Sequence, residues 1–155
     1  MRAINEVVVI GLGSPLMADE GIGVHLVREL EKRADEFPGV DFVDAGTSAM
    51  EALYFMLGRR KAILIDCAIM GEEPGTIRRF TPAEVRSRKD LPRLSLHEGD
   101  PLVIVELARK LGEAPPEIVI YGIEPARIAP GTELSTTLAA RLARYQQSVS
   151  FELWS

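Results

Sequence analysis

Three side chains in this chain of 155 residues have the types and settings that metal or acid–base chemistry needs: Glu20, Asp66 and His97. Glu20 lies in Asp19-Glu20-Gly21, where two adjacent carboxylates follow a tight Gly/Pro loop, Gly11-Leu12-Gly13-Ser14-Pro15. Asp66 directly follows the apolar run Ala62-Ile63-Leu64-Ile65, and a charge at the end of a buried strand is costly unless it is paired or coordinated. His97 stands in Ser95-Leu96-His97-Glu98-Gly99 and is one of only 2 histidines, so few other imidazoles compete with it as a nitrogen donor. Two carboxylates and an imidazole suit a borderline divalent ion with positions left open for water or substrate. The donor types do not choose among nickel, zinc and manganese.

Plainer readings stand beside this one. Asp19 and Glu20 could simply oppose the positive end of a helix, and Asp66 could cap the turn that follows it. Asp19 and Asp44 are secondary candidates, Asp44 because it ends a second apolar run. His25 falls inside a helical pattern and reads as partly exposed. Cys67 is read as a small buried hydrophobe, since strand alternation points it away from the face that Asp66 uses.

Several familiar chemistries lack their motifs. Gly11-Leu12-Gly13 after a first strand invites a dinucleotide-binding reading, with Asp44 as the ribose carboxylate. The third glycine of that fingerprint is missing, because Leu16 occupies its place. Asp19 and Glu20 would also repel a phosphate from the helix start. There is no Walker-type loop, no Gly-x-Ser-x-Gly elbow and no His-Glu-x-x-His helix.

The elements that must hold the three side chains can be read from periodicity. Val7 to Ile10, Val40 to Asp44, Ala62 to Ile65 and Glu117 to Ile123 read as strands, and Thr76 to Phe80 as an additional one. A helix is expected from Asp19 to Ala34, with Ile22, Leu26 and Leu30 on one face. Thr47 or Ser48 should cap a short helix whose inner face is Met50, Leu53, Tyr54 and Leu57, stopped at Gly58. Thr81 to Arg93 reads as a connection. Asp100-Pro101 starts a helix with Ile104, Leu107, Ala108 and Leu111 inward, and Ser135 caps a last helix carrying Leu138, Leu142 and Tyr145.

Strands alternating with helices imply parallel crossovers. The expectation is one α/β domain over 1–155: a three-layer sandwich with a doubly wound, mostly parallel five-strand sheet and helices on both faces. The scheme accommodates one reversed strand. Ligands in such sheets sit beyond the carboxyl ends of the strands, at a switch point. That rule points to the ends of the first three strands, where Glu20, Asp44 and Asp66 fall.

Composition narrows the partners. The net charge of −5 disfavours nucleic acid or an anionic membrane as the main partner. Arg86, Arg88, Lys89 and Arg93 read as a solvated run. No apolar stretch approaches the ~20 residues that span a bilayer. The single cysteine excludes an intrachain disulfide, and the first residues do not read as a signal peptide. A cytoplasmic protein is expected.

Taken together the motifs resemble those of the NiFe-hydrogenase maturation endopeptidases. Gly11-Leu12-Gly13-Ser14-Pro15-Leu16-Met17-Ala18-Asp19-Glu20-Gly21-Ile22-Gly23 is similar to the family's Gly-x-Gly-Asn … Asp-Glu-Gly-x-Gly, with Ser14 in the asparagine's place. Asp44-Ala45-Gly46-Thr47, Ile65-Asp66, Ser95-Leu96-His97, Tyr121-Gly122-Ile123-Glu124-Pro125 and Glu133-Leu134-Ser135 resemble its later motifs, in order. The resemblance implies removal of a C-terminal extension from a hydrogenase large-subunit precursor after nickel insertion. It implies that Glu20, Asp66 and His97 contact the nickel, which the precursor supplies, and that no organic cofactor is needed. Two alternatives remain: a non-catalytic nickel carrier or assembly chaperone that uses the same three residues, and a small-molecule hydrolase on the same fold.

Overall fold

A computed structural model describes residues 4–87 and 100–155, leaving aside the side chains of 86 and 87. Along the chain run β1 (Val7–Leu12), α1 (Ile22–Glu31), β2 (Val40–Gly46), α2 (Ala49–Met56), β3 (Lys61–Cys67), β4 (Ile77–Phe80), α3 (Pro82–Ser87), α4 (Pro101–Lys110), β5 (Glu117–Ile123) and α5 (Thr136–Trp154). The strands form one sheet in the order β2-β1-β3-β5-β4. The first four are parallel neighbours, and β4 pairs antiparallel with β5 at the edge. This is the mostly parallel α/β architecture expected, with the reversed strand at the rim.

Two apolar cores, one on each face, explain why the central strands carry continuous hydrophobic runs. Val9, Ile63, Ile65, Cys67, Val119 and Tyr121 pack with Ile22, Leu26 and Leu30 of α1 and with Leu138, Tyr145 and Val149 of α5. Val8, Ile10, Ala62, Leu64, Ile118 and Ile120 pack on the other face with Ala52, Leu53 and Met56 of α2 and with Ile104, Val105 and Ala108 of α4. Residues of β3 therefore alternate faces, and Cys67 shares the α1/α5 core, as expected of a packing cysteine.

The caps fall where the sequence places them. Ser48 Oγ accepts from the amide of Glu51, Asp100 Oδ1 from that of Leu102, and Ser135 Oγ from that of Leu138. Gly58 and Gly112, just past α2 and α4, adopt φ of 77° and 74°, the left-handed conformation that ends helices.

Four expectations need correction. The helix expected from Asp19 begins with a 3-10 turn, Ala18–Gly21, and is α-helical only over Ile22–Glu31, with a second 3-10 turn at Ala34–Glu36. The inner face of α2 is Ala52, Leu53 and Met56, while Met50 and Tyr54 are 71% and 69% exposed. The inner face of α4 is Ile104, Val105 and Ala108, with Leu107 and Leu111 exposed. In both helices apolar residues lie nearly all round, so periodicity alone leaves the facing ambiguous. Finally, Thr81 to Arg93 is not plain connection. Thr81 and Glu84 form a reciprocal capping box, each side chain bonding the other's amide, and start α3. Arg88, Lys89 and Arg93 lie outside the described residues.

Candidate active site

The sheet order sets the switch point between β1 and β3. From β1 the chain crosses through α1 to β2 on one side, then returns through α2 to β3 on the other. The general rule for such sheets puts the ligand site where those two crossovers diverge, beyond the carboxyl ends of β1 and β3. Glu20 stands in the 3-10 turn after β1, and Asp66 is the penultimate residue of β3.

Backbone packing brings these two together. Gly13 has φ +116°, and a Cβ there would lie 2.0 Å from the Glu20 carbonyl oxygen and 3.6 Å from Asp66 Oδ1. Gly11 touches the Gly23 carbonyl, Gly21 sits on the Pro15 backbone, and Gly23 lies against the carbonyls of Ile65 and Leu12, each too close for a Cβ. The glycines of the Gly-x-Gly … Gly-x-Gly pattern thus let the turn that carries Glu20 lie directly on β1 and β3. No phosphate is needed to explain them. The geometry also forces Ala18 to φ 50°, at a cost of about 1–2 kcal/mol for a residue with a Cβ.

Asp66 is fully buried, and its Oδ1 accepts from the amide of Cys67 at 2.8 Å. Burial first, then the carboxylates of Asp66, Glu20, Asp19 and Glu124, push the Cys67 thiol well above its ordinary pKa. Cys67 is therefore a neutral thiol at physiological pH and a poor nucleophile. His25, half-buried in α1, is lowered by burial and then by Arg28, and is neutral at pH 7.

The secondary candidates are engaged elsewhere. Asp19 is fully buried. Its Oδ2 accepts from the amides of Ala126 and Arg127, both at 2.9 Å, and its Oδ1 from that of Ser135 at 2.7 Å. Asp44 closes a turn by accepting from the Gly46 amide at 3.0 Å and pairs with Arg28 at 2.9 Å. Ser14, in the place of the family's asparagine, accepts from the Leu16 amide at 3.3 Å.

His97 lies outside the described residues. Among the described residues no three His, Cys, Asp or Glu side chains are grouped to hold a metal. Glu20 and Asp66 are hard oxygen donors of the kind a divalent ion accepts.

One acid escaped sequence reasoning. Glu124 is buried at the end of β5, and its Oε1 accepts from the amides of Met70 and Glu72 at 2.8 and 3.0 Å, fixing the loop after β3. The signal was present: a carboxylate directly after the apolar run Ile118–Ile123, the same pattern that marks Asp66.

Known proteins of one family resemble this chain in sequence and fold. The sequence model of the hydrogenase maturation protease family matches residues 24–150. The hydrogenase 2 maturation protease of Escherichia coli K12 is 30% identical over 138 residues, covering 88% of this chain and 84% of that protein. The hydrogenase expression/formation protein HupD of Thiocapsa roseopersicina is 31% identical over 131 residues, covering 83% of this chain. The chain spans only 58%, 60% and 63% of the lengths of three such expression/formation proteins. In structure it resembles the hydrogenase maturating endopeptidase HybD from E. coli, with a TM-score of 0.80, 26% identity and coverage of 96% of this chain and 91% of that one. HybD from Thermococcus kodakarensis, at 23% identity and a TM-score of 0.77, shares the fold. With the family's sequence model matching residues 24–150, the chain belongs to the hydrogenase maturation protease family.

Proposed function

We propose that this protein is an endopeptidase that removes the C-terminal extension of a NiFe-hydrogenase large-subunit precursor once nickel has been inserted. The reading is supported by the family match and by the close backbone packing of the Glu20 turn, whose carbonyl meets Gly13 near Asp66 Oδ1. The nickel is part of the substrate: Glu20, Asp66 and His97 take its open coordination positions as the precursor docks. The bound ion then orients or polarises the scissile amide, or activates a water for attack. A carboxylate of the pair accepts the proton that the attacking water loses. Because these contacts form only when nickel is present, cleavage becomes conditional on metal insertion.

The test is incubation of nickel-loaded and nickel-free precursor with the wild-type protein and with Glu20→Gln, Asp66→Asn and His97→Ala, read as a mobility shift on a gel. Shortening of the loaded precursor alone, lost in all three variants, is the expected result. Stable binding of the loaded precursor with no shortening would instead make the protein a nickel carrier or assembly chaperone.

A further inference from the structure

We propose that Asp19, the acid next to Glu20, is a positioning residue that fixes where Glu20 stands. This rests on the proposed role of Glu20 at the crevice. Asp19 is wholly buried, and its two oxygens accept three amide hydrogens from the segment joining β5 to α5, at 2.7 to 2.9 Å. A carboxylate with two acceptor oxygens matches that set of donors; an amide, with one oxygen and an NH2 group, does not.

The backbone around it completes a clamp. The Asp19 amide donates to the Arg127 carbonyl at 3.1 Å, and that of Ala18 to Gly131 at 2.9 Å. In return the Gly131 amide donates to Leu16 at 2.9 Å. The turn Ala18–Gly21 is thereby pinned on one side to residues 126–135 and on the other, through Gly13 and Gly23, to β1 and β3. Ala18 at φ 50° lies in a conformation that persists only where its surroundings enforce it. The Asp19 carboxylate ties the turn to the far wall through three of that wall's amides. Releasing it lets the turn relax, and Glu20, the next residue, moves with it.

The test compares Asp19→Asn with Glu152→Gln, a destabilising change remote from the crevice, in melting, in steady-state processing and by crystallography. Asp19→Asn is expected to lower kcat by about 10- to 100-fold, because ångström-scale misplacement costs that much. KM should stay within about threefold, and the Glu20 Cα should shift by about 1 Å. Glu152→Gln is expected to keep kcat despite its lower Tm. A milder pair covers the case where Asp19→Asn does not fold. Ser135→Pro removes one donor amide at a φ of −58°, which proline adopts, and Ser135→Ala removes only the cap. Only the proline variant should lose kcat. Glu20 in its wild-type position, or kcat loss no larger than in Glu152→Gln, would make Asp19 a purely structural clamp and overturn the proposal. If the wild-type protein leaves the loaded precursor uncut, the endopeptidase reading falls, while the Glu20 displacement still decides the role of Asp19.

Discussion

Lys61 Nζ meets Glu152 Oε2 at 2.8 Å, and both side chains are buried where the start of β3 passes under the end of α5. Arg79 and the Tyr121 hydroxyl also bond this carboxylate. Burial works to raise the Glu152 pKa, but the hydrogen bonds from Arg79, Lys61 and Tyr121 outweigh it and hold it at about 2. A carboxyl depressed below its unfolded value stabilises the fold at higher pH and loses that contribution on acidification. Stability should therefore fall as pH drops from about 5 toward 2, measured as Tm against pH. Glu152→Gln should flatten that dependence. It should also lower stability by about 3 kcal/mol, because it strips a buried lysine of its close partner.

Asp66→Asn should separate folding from function. Its Oδ1 accepts from the Cys67 amide, and asparagine keeps that oxygen. Melting should stay within about 3 °C of wild type, a stability change near 1 kcal/mol. Processing of nickel-loaded precursor should fall by about 100-fold or more, as expected when a charged ligand is lost. A melting curve beside a gel assay decides it. A large drop in Tm with processing intact would make Asp66 a structural cap.

Gly13→Ala tests the backbone stacking. The new methyl would meet the Glu20 carbonyl at 2.0 Å, at a φ that alanine avoids. A loss of about 3 kcal/mol or more is expected, combining steric clash with left-handed strain. Gly39→Ala, at φ +81° with nothing within 4 Å, carries the strain alone and should cost about 1 kcal/mol. Chemical denaturation of both variants gives the comparison. Processing should survive only in the second.

Cys67→Ala should keep processing within about threefold of wild type. The thiol is buried in the α1/α5 core with its pKa raised. Native protein should accordingly resist thiol-modifying reagents, whereas denatured protein reacts at once. Loss of cleavage in a folded Cys67→Ala variant would make the thiol a nucleophile after all.

The sequence carried much of this layout, for identifiable reasons. β-branched runs ending in Gly11 and Asp66 located the central strands, and Ser48, Asp100 and Ser135 marked helix starts through their own hydrogen bonds. What stayed illegible was the choice among equally apolar faces, as at Met50 and Tyr54 of α2 and Leu107 of α4, because packing partners distant in sequence decide it. Adjacent acids were also hard to separate. Asp19 and Glu20 look alike in a string of letters, yet three amides more than a hundred residues away claim the first. Glu124 was passed over although it follows a strand just as Asp66 does. His97 lies outside the described residues, so its part in the triad rests on motif and donor chemistry.

The glycine contacts at the crevice have a mechanical consequence. Where Gly11, Gly13, Gly21 and Gly23 meet their neighbours, main chain rests on main chain, with no rotatable side chain between to act as a cushion. The segment is a loop by position but inherits the stiffness of the sheet beneath it. Thermal displacement at the Glu20 Cα should therefore resemble that of β1 rather than that of an ordinary surface turn. A carboxylate mounted this way needs no ordering step on binding a partner, so any entropy lost on engagement falls on the incoming molecule.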